Sequence, residues 1–141
     1  MTYLLYPHGG SWRDALTVRR GYELNYPLLA RQVENHQGEF KDEHFFLSLQ
    51  PENIVLTAAK KAEDDDSLVL RFYEWAGKET DAKLRLPAGA GKVSETDLME
   101  KPLAELSVQD GTVTVHTKPY EIMTIRVRFA AKPASQTARS R

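Results

Sequence analysis

The sequence predicts a mainly β protein, an antiparallel β-sandwich of about seven short strands preceded by one N-terminal helix segment. Three observations carry this. From Phe45 onward, apolar and polar residues alternate with the period of two expected of a pleated strand. Turn signals such as Pro51-Glu52-Asn53, Pro87 to Gly91 and Asp110-Gly111 separate these runs. Only the stretch from Trp12 to Asn25 shows helical spacing free of proline.

Taken in order, Tyr3 to Tyr6 reads as a short strand that begins with no lead-in, as in a segment cut from a longer chain. Ser11 is the expected N-cap of a helix over Trp12 to Asn25, in which Trp12, Leu16 and Leu24 fall on one stripe. Asn25-Tyr26-Pro27 ends it, because a residue before proline is pushed out of the helical region. Leu28 to Val33 reads as an extended crossing or a short strand, and Glu34 to Glu43 as a polar loop. Phe45, Leu47 and Leu49 form one strand face. Ile54 to Ala59 and Leu68 to Tyr73 form a hairpin around the acidic turn Glu63-Asp64-Asp65-Asp66-Ser67, whose tip is expected to be solvated. Ala82, Leu84 and Leu86 mark the next strand, and Val93 to Met99 continues irregularly. Val113 with Val115, and Ile125 with Val127 and Phe129, mark the last two. The implied organisation is a segment over 1–36 packing at a domain junction, a sandwich over 43–129, and a disordered tail over 130–141.

Composition excludes several classes. The 141 residues carry 19 basic and 20 acidic side chains, a net charge of -1, so no global field favours nucleic acid or an anionic membrane. Cysteine is absent, which removes disulfides, thiolate metal sites and cysteine nucleophiles together and fits a reducing compartment. No apolar run reaches the roughly 18 residues of a membrane span, and the start lacks the basic region of a secretion signal. A soluble, cytoplasmic chain is expected.

The chemical motifs are weak. His8, His36, His44 and His116 make no HxH or HExxH pair. Glu63 to Asp66 lacks the spaced oxygen ligands of a calcium loop. Glu95, Asp97 and Glu100 resemble paired glycosidase carboxylates, but sequence spacing does not set their separation or their environments. The PAGAGKV run lacks the phosphate-loop pattern. Trp12, Tyr22, Tyr26, Tyr73 and Trp75 could stack on sugar rings, although such aromatics more often pack a core or an interface.

Three segments together resemble the C-terminal β-domain of glycoside hydrolase family 38, the α-mannosidases. They are YLLYPHGGSWRDALTVRRGYELNYPL over Tyr3 to Leu28, Pro51 to Glu74 with its lysine pair and acidic turn, and Glu95 to Phe129 with Lys118-Pro119-Tyr120-Glu121-Ile122. The resemblance implies an enzyme that hydrolyses terminal α-mannosides with retention on an N-terminal barrel, where zinc holds sugar hydroxyls beside an aspartate nucleophile. That barrel has no counterpart here. The resemblance therefore implies no catalytic residue, no metal ligand and no cofactor in this chain, with zinc belonging to the absent catalytic domain.

It also implies partners: the preceding catalytic and β domains of the same enzyme, and self-association when they are missing. His8, Trp12, Asn25 and Tyr26 are its candidate domain-junction or sugar-proximal residues. Two alternatives stand beside this expectation, a free-standing carbohydrate-binding module using Trp12, Tyr26 or Trp75, and a purely structural interaction protein.

Overall fold

The computed structural model describes residues 3–35, 37–40 and 43–130. The expected disordered tail lies outside them, except for Ala130. The chain divides into two compact units, residues 1–44 and 45–141.

The first unit holds α1 (Thr17–Asn25), and its other described residues form irregular chain. The helix begins five residues later than expected, and Leu16 is the reason. Its φ of 53° lies in the left-handed region and interrupts helical geometry between Arg13 and Thr17. Ser11 instead closes a turn with Asp14. Its hydroxyl and amide both donate to Asp14 Oδ2, at 2.7 and 3.0 Å. The end falls as read, since Tyr26 N–H donates to Tyr22 O at 2.8 Å and Pro27 follows. Neither Tyr3 to Tyr6 nor Leu28 to Val33 forms a strand.

The second unit is the sandwich. Its strands are β1 (Ser48–Gln50), β2 (Ile54–Lys61), β3 (Leu68–Glu74), β4 (Thr80–Arg85), β5 (Ala90–Thr96), β6 (Pro102–Leu106), β7 (Val108–Gln109), β8 (Thr112–Thr117) and β9 (Ile122–Phe129). One sheet runs β1-β4-β8-β7 and the other β2-β3-β9-β5-β6, with every pairing antiparallel. Leu70 and Phe72 from β3, Ala82 and Leu84 from β4, Val113 and Val115 from β8, and Ile125 and Val127 from β9 meet in the buried layer between the sheets. The leucine, isoleucine, valine and phenylalanine side chains among them each stabilise the fold by about 1.5–3 kcal/mol when removed from water.

Of the nine strands among the described residues, β6 and β7 were not legible as strands. β6 lies on a sheet edge and is exposed along nearly its whole length, so it has no buried face to impose alternation. β7 is only two residues long. β5 begins inside the expected glycine turn, at Ala90, and stops at Thr96 rather than Met99. Trp75 is buried, its Nε1–H donating to Glu52 O at 3.0 Å, so it cannot serve as a sugar platform.

Candidate functional surface

The first unit has the character of an unfinished core. No residue of α1 is buried, and no described residue between Tyr3 and Phe46 reaches the buried class. Leu28 and Leu29 are fully or almost fully exposed, and Leu5 is 89% exposed. Tyr3, Tyr6 and Trp12 are also solvent-facing. A monomeric domain normally hides such side chains or gathers them at a contact surface.

The four sequence candidates lie in this unit and fall into separate local settings. His8 stands beside Tyr6, ring centroids 5.5 Å apart, while Tyr6 Oη–H donates to Ala15 O at 3.1 Å. Trp12 carries the Arg13 guanidinium over its ring at 4.2 Å, a cation–π contact that occupies one of its faces. Asn25 Nδ2 donates to Gly21 O at 2.7 Å, and Tyr26 stacks on Tyr22 at 5.9 Å. Asn25 and Tyr26 line one open groove of about 350 Å³ with Thr17, Val18, Gly21 and Tyr22. His8 and Trp12 are not among its lining residues.

The sandwich contains polar centres that sequence reasoning missed. Glu74 is fully buried at the end of β3, in phase with Leu70 and Phe72. Its Oε1 accepts from Asn53 Nδ2 at 2.9 Å and Ala76 N–H at 2.7 Å. Its Oε2 accepts from the N–H groups of Gly77, Lys78 and Tyr120 at 2.7, 3.1 and 3.1 Å. Burial pushes this carboxyl up, but the amide of Asn53 and the backbone donors outweigh burial and hold it below its ordinary 4.5. The carboxylate thereby ties the start of β2, the β3–β4 turn and the β8–β9 turn together. Gly77 permits this closeness, since a Cβ there would stand 2.4 Å from Tyr120 Oη.

Arg126 of β9 is buried on the outer face of its sheet. It pairs with Asp64 and with Asp65 at 2.9 Å, and its Nη1–H donates to Glu100 O at 3.4 Å. The hairpin tip is solvated as expected at Glu63, Asp64 and Asp66, and Asp64 with the half-buried Asp65 also neutralises a buried cation. Hydrogen bonds from Ser67 and Arg126 hold the Asp65 carboxyl far below the usual carboxylate range.

The carboxylates once comparable to a glycosidase pair have other work. Asp97 Oδ1 accepts from Met99 N–H and Lys101 N–H. Glu100 pairs with Lys60 at 2.8 Å, and that contact lowers its pKa. A general acid in such an enzyme needs a raised one.

His116 is exposed between Glu79 and Asp81, each 2.9 Å from one ring nitrogen. Asp81 and then Glu79 raise its pKa above 6.5. A group raised in the folded state adds stability below its unfolded pKa, and that stability is lost as pH rises through the folded value. NMR titration of the His116 ring should therefore give a midpoint above 6.5, and Asp81→Asn should lower it; an unshifted midpoint would contradict the pairing.

Among the described residues no three His, Cys, Asp or Glu side chains converge to hold a metal.

The two-sheet sandwich meets a direct comparison. The family model described as the glycosyl hydrolases family 38 C-terminal beta sandwich domain matches residues 53–125. The chain belongs to this family. Its match covers the sandwich from the residue before β2 into β9, including Glu74 and the hairpin tip. Among curated relatives, alpha-mannosidase 2C1 of Homo sapiens is 32% identical over 94% of this chain, and alpha-mannosidase G of Dictyostelium discoideum is 30% identical over 89%. The chain spans only 13% and 12% of those two proteins. A solved family 38 protein from Enterococcus faecalis superposes with a TM-score of 0.66 over 86% of this chain and 14% of its own, at 24% identity, which speaks to the fold. No helix among the described residues is long and apolar enough to cross a membrane.

Proposed function

We propose that this chain is a non-catalytic C-terminal sandwich of a cytoplasmic α-mannosidase, one that hydrolyses terminal α-mannosides with retention. Its role is to pack against the catalytic and preceding β domains. The reading is supported chiefly by the first unit, which offers Tyr3, Leu5, Leu28 and Leu29 to solvent and has no buried residue among those described. Such a surface gains stability only when another domain covers it. Zinc would act in the catalytic domain and not on this chain.

One observation favours a second reading, a carbohydrate-binding module. Asn25 and the Tyr22–Tyr26 stack share a groove, an aromatic and amide pairing suited to a pyranose. The two readings separate in one set of measurements. The isolated chain, assayed with zinc on an aryl α-mannoside, should show no turnover, and titration with mannose or α-mannobiose should leave amide shifts unmoved at millimolar ligand. Turnover would overturn the non-catalytic assignment. Saturable shifts at Asn25 and Tyr26 would replace packing with sugar binding.

A further inference from the structure

The loop joining β5 to β6 is held firmly, and what it displays is apolar. Asp97 Oδ1 accepts Met99 N–H at 2.8 Å and Lys101 N–H at 2.9 Å. Asp97 N–H donates to Lys101 O at 3.0 Å, and Glu100 N–H donates to Asp97 O at 3.1 Å. Two arginines reach the loop from neighbouring strands. Arg71 Nη2–H donates to Leu98 O at 3.1 Å, and Arg126 Nη1–H donates to Glu100 O at 3.4 Å.

Glu100 fixes the loop from beneath. Its buried carboxylate pairs with Lys60 at 2.8 Å and accepts Glu63 N–H at 3.1 Å. Its backbone sits at φ 66°, a left-handed conformation that costs a non-glycine residue and persists only where the surroundings impose it. On this rigid support Leu98 is 62% exposed and Met99 78% exposed. Leu103 of β6 is 64% exposed and lines a groove of about 260 Å³ with Pro102. A backbone already held loses little entropy when the side chains it carries dock, and methionine adapts to irregular apolar pockets.

We propose that Leu98 and Met99 form a preformed docking knob that seats in an apolar pocket on another domain of the same polypeptide. This rests on reading the chain as one part of a larger α-mannosidase. Size selects that occupant over a second copy. Three side chains such as Leu98, Met99 and Leu103 bury on the order of 300 Å², against about 800 Å² per partner in a stable interface. A contact this small holds only when covalent linkage raises the effective concentration of its pocket. The relatives supply that linkage, since this chain spans 13% of the human one.

The test is hydrogen exchange on a chimaera in which this chain replaces the matching 137 residues of human alpha-mannosidase 2C1. Residues 97–101 should exchange about tenfold more slowly in the chimaera than in the isolated chain. Leu98→Ser with Met99→Ser should abolish that slowing while leaving the melting temperature of the isolated chain unchanged. The chain has no cysteine, so Met99→Cys can carry a single photo-cross-linker. Added at about millimolar concentration, the effective concentration a short linker supplies, to the human protein lacking those residues, it should cross-link to that protein, a readout that does not require the chimaera to fold. Slowed exchange over residues 3–35 without slowing at 97–101 would overturn the knob and leave domain packing intact. Absence of both would overturn both. Cross-linking only to a second copy of this chain would overturn the intramolecular assignment.

Discussion

Replacing Glu74 by alanine lowers the unfolding free energy of the sandwich by about 3 kcal/mol, the expected result of leaving several buried donors without an acceptor. For a domain of this size that is a fall in melting temperature on the order of 10 °C or more. Five donors from separate segments converge on the carboxylate: Asn53, Ala76, Gly77, Lys78 and Tyr120. Glu74→Gln keeps the shape but turns an amide NH₂ toward N–H groups, so it should recover only part of the loss.

The pH dependence is distinctive. A depressed carboxyl contributes stability above its unfolded pKa, and that stability is lost as pH falls through its folded value. For Glu74 the loss begins near pH 4.5 and continues below it. Urea unfolding at pH 7 and pH 4 measures this. A Glu74→Ala protein as stable as the parent at pH 7 would rule out the carboxylate as a structural tie.

Arg126→Ala is expected to cost about 2–3 kcal/mol, less than a fully enclosed ion pair because Asp64 and Asp65 keep contact with water. The loss should be local in its first effects. Removing the guanidinium releases the hairpin tip and the carbonyl of Glu100 together, so exchange should quicken over 63–67 and 97–101 before β3 or β9. High salt should mimic this only weakly, since the arginine is buried and poorly screened. Uniform quickening across both sheets would show that Arg126 supports the core rather than the loop.

Much of the sandwich was legible because each sheet hides one face. Leu70 and Phe72, or Val113 and Val115, must recur at every second position to reach the same core. The polar centres were not legible for the same reason. Glu74 occupies a core-facing position with a charged side chain, and Arg126 reads as an ordinary outward residue. Neither signals that distant segments cover it. The helix start was missed because Leu16 adopts a left-handed backbone that no propensity for leucine suggests. Of the four candidate residues, the order of the sequence brought Asn25 and Tyr26 into one groove, while His8 and Trp12 stand in settings of their own.

By itself the sequence determined the fold class, the hairpin from Ile54 to Glu74, the end of α1 at Asn25 and the likeness to family 38. These rest on local periodicity, proline stereochemistry and the order of short motifs along the chain. Only the tertiary structure decided that the acidic tip serves Arg126, that Glu74 joins three turns, and that Leu98 and Met99 stand out from a rigid loop. Each depends on residues dozens of positions apart meeting at hydrogen-bond distance, and such meetings leave no periodic trace in a single sequence.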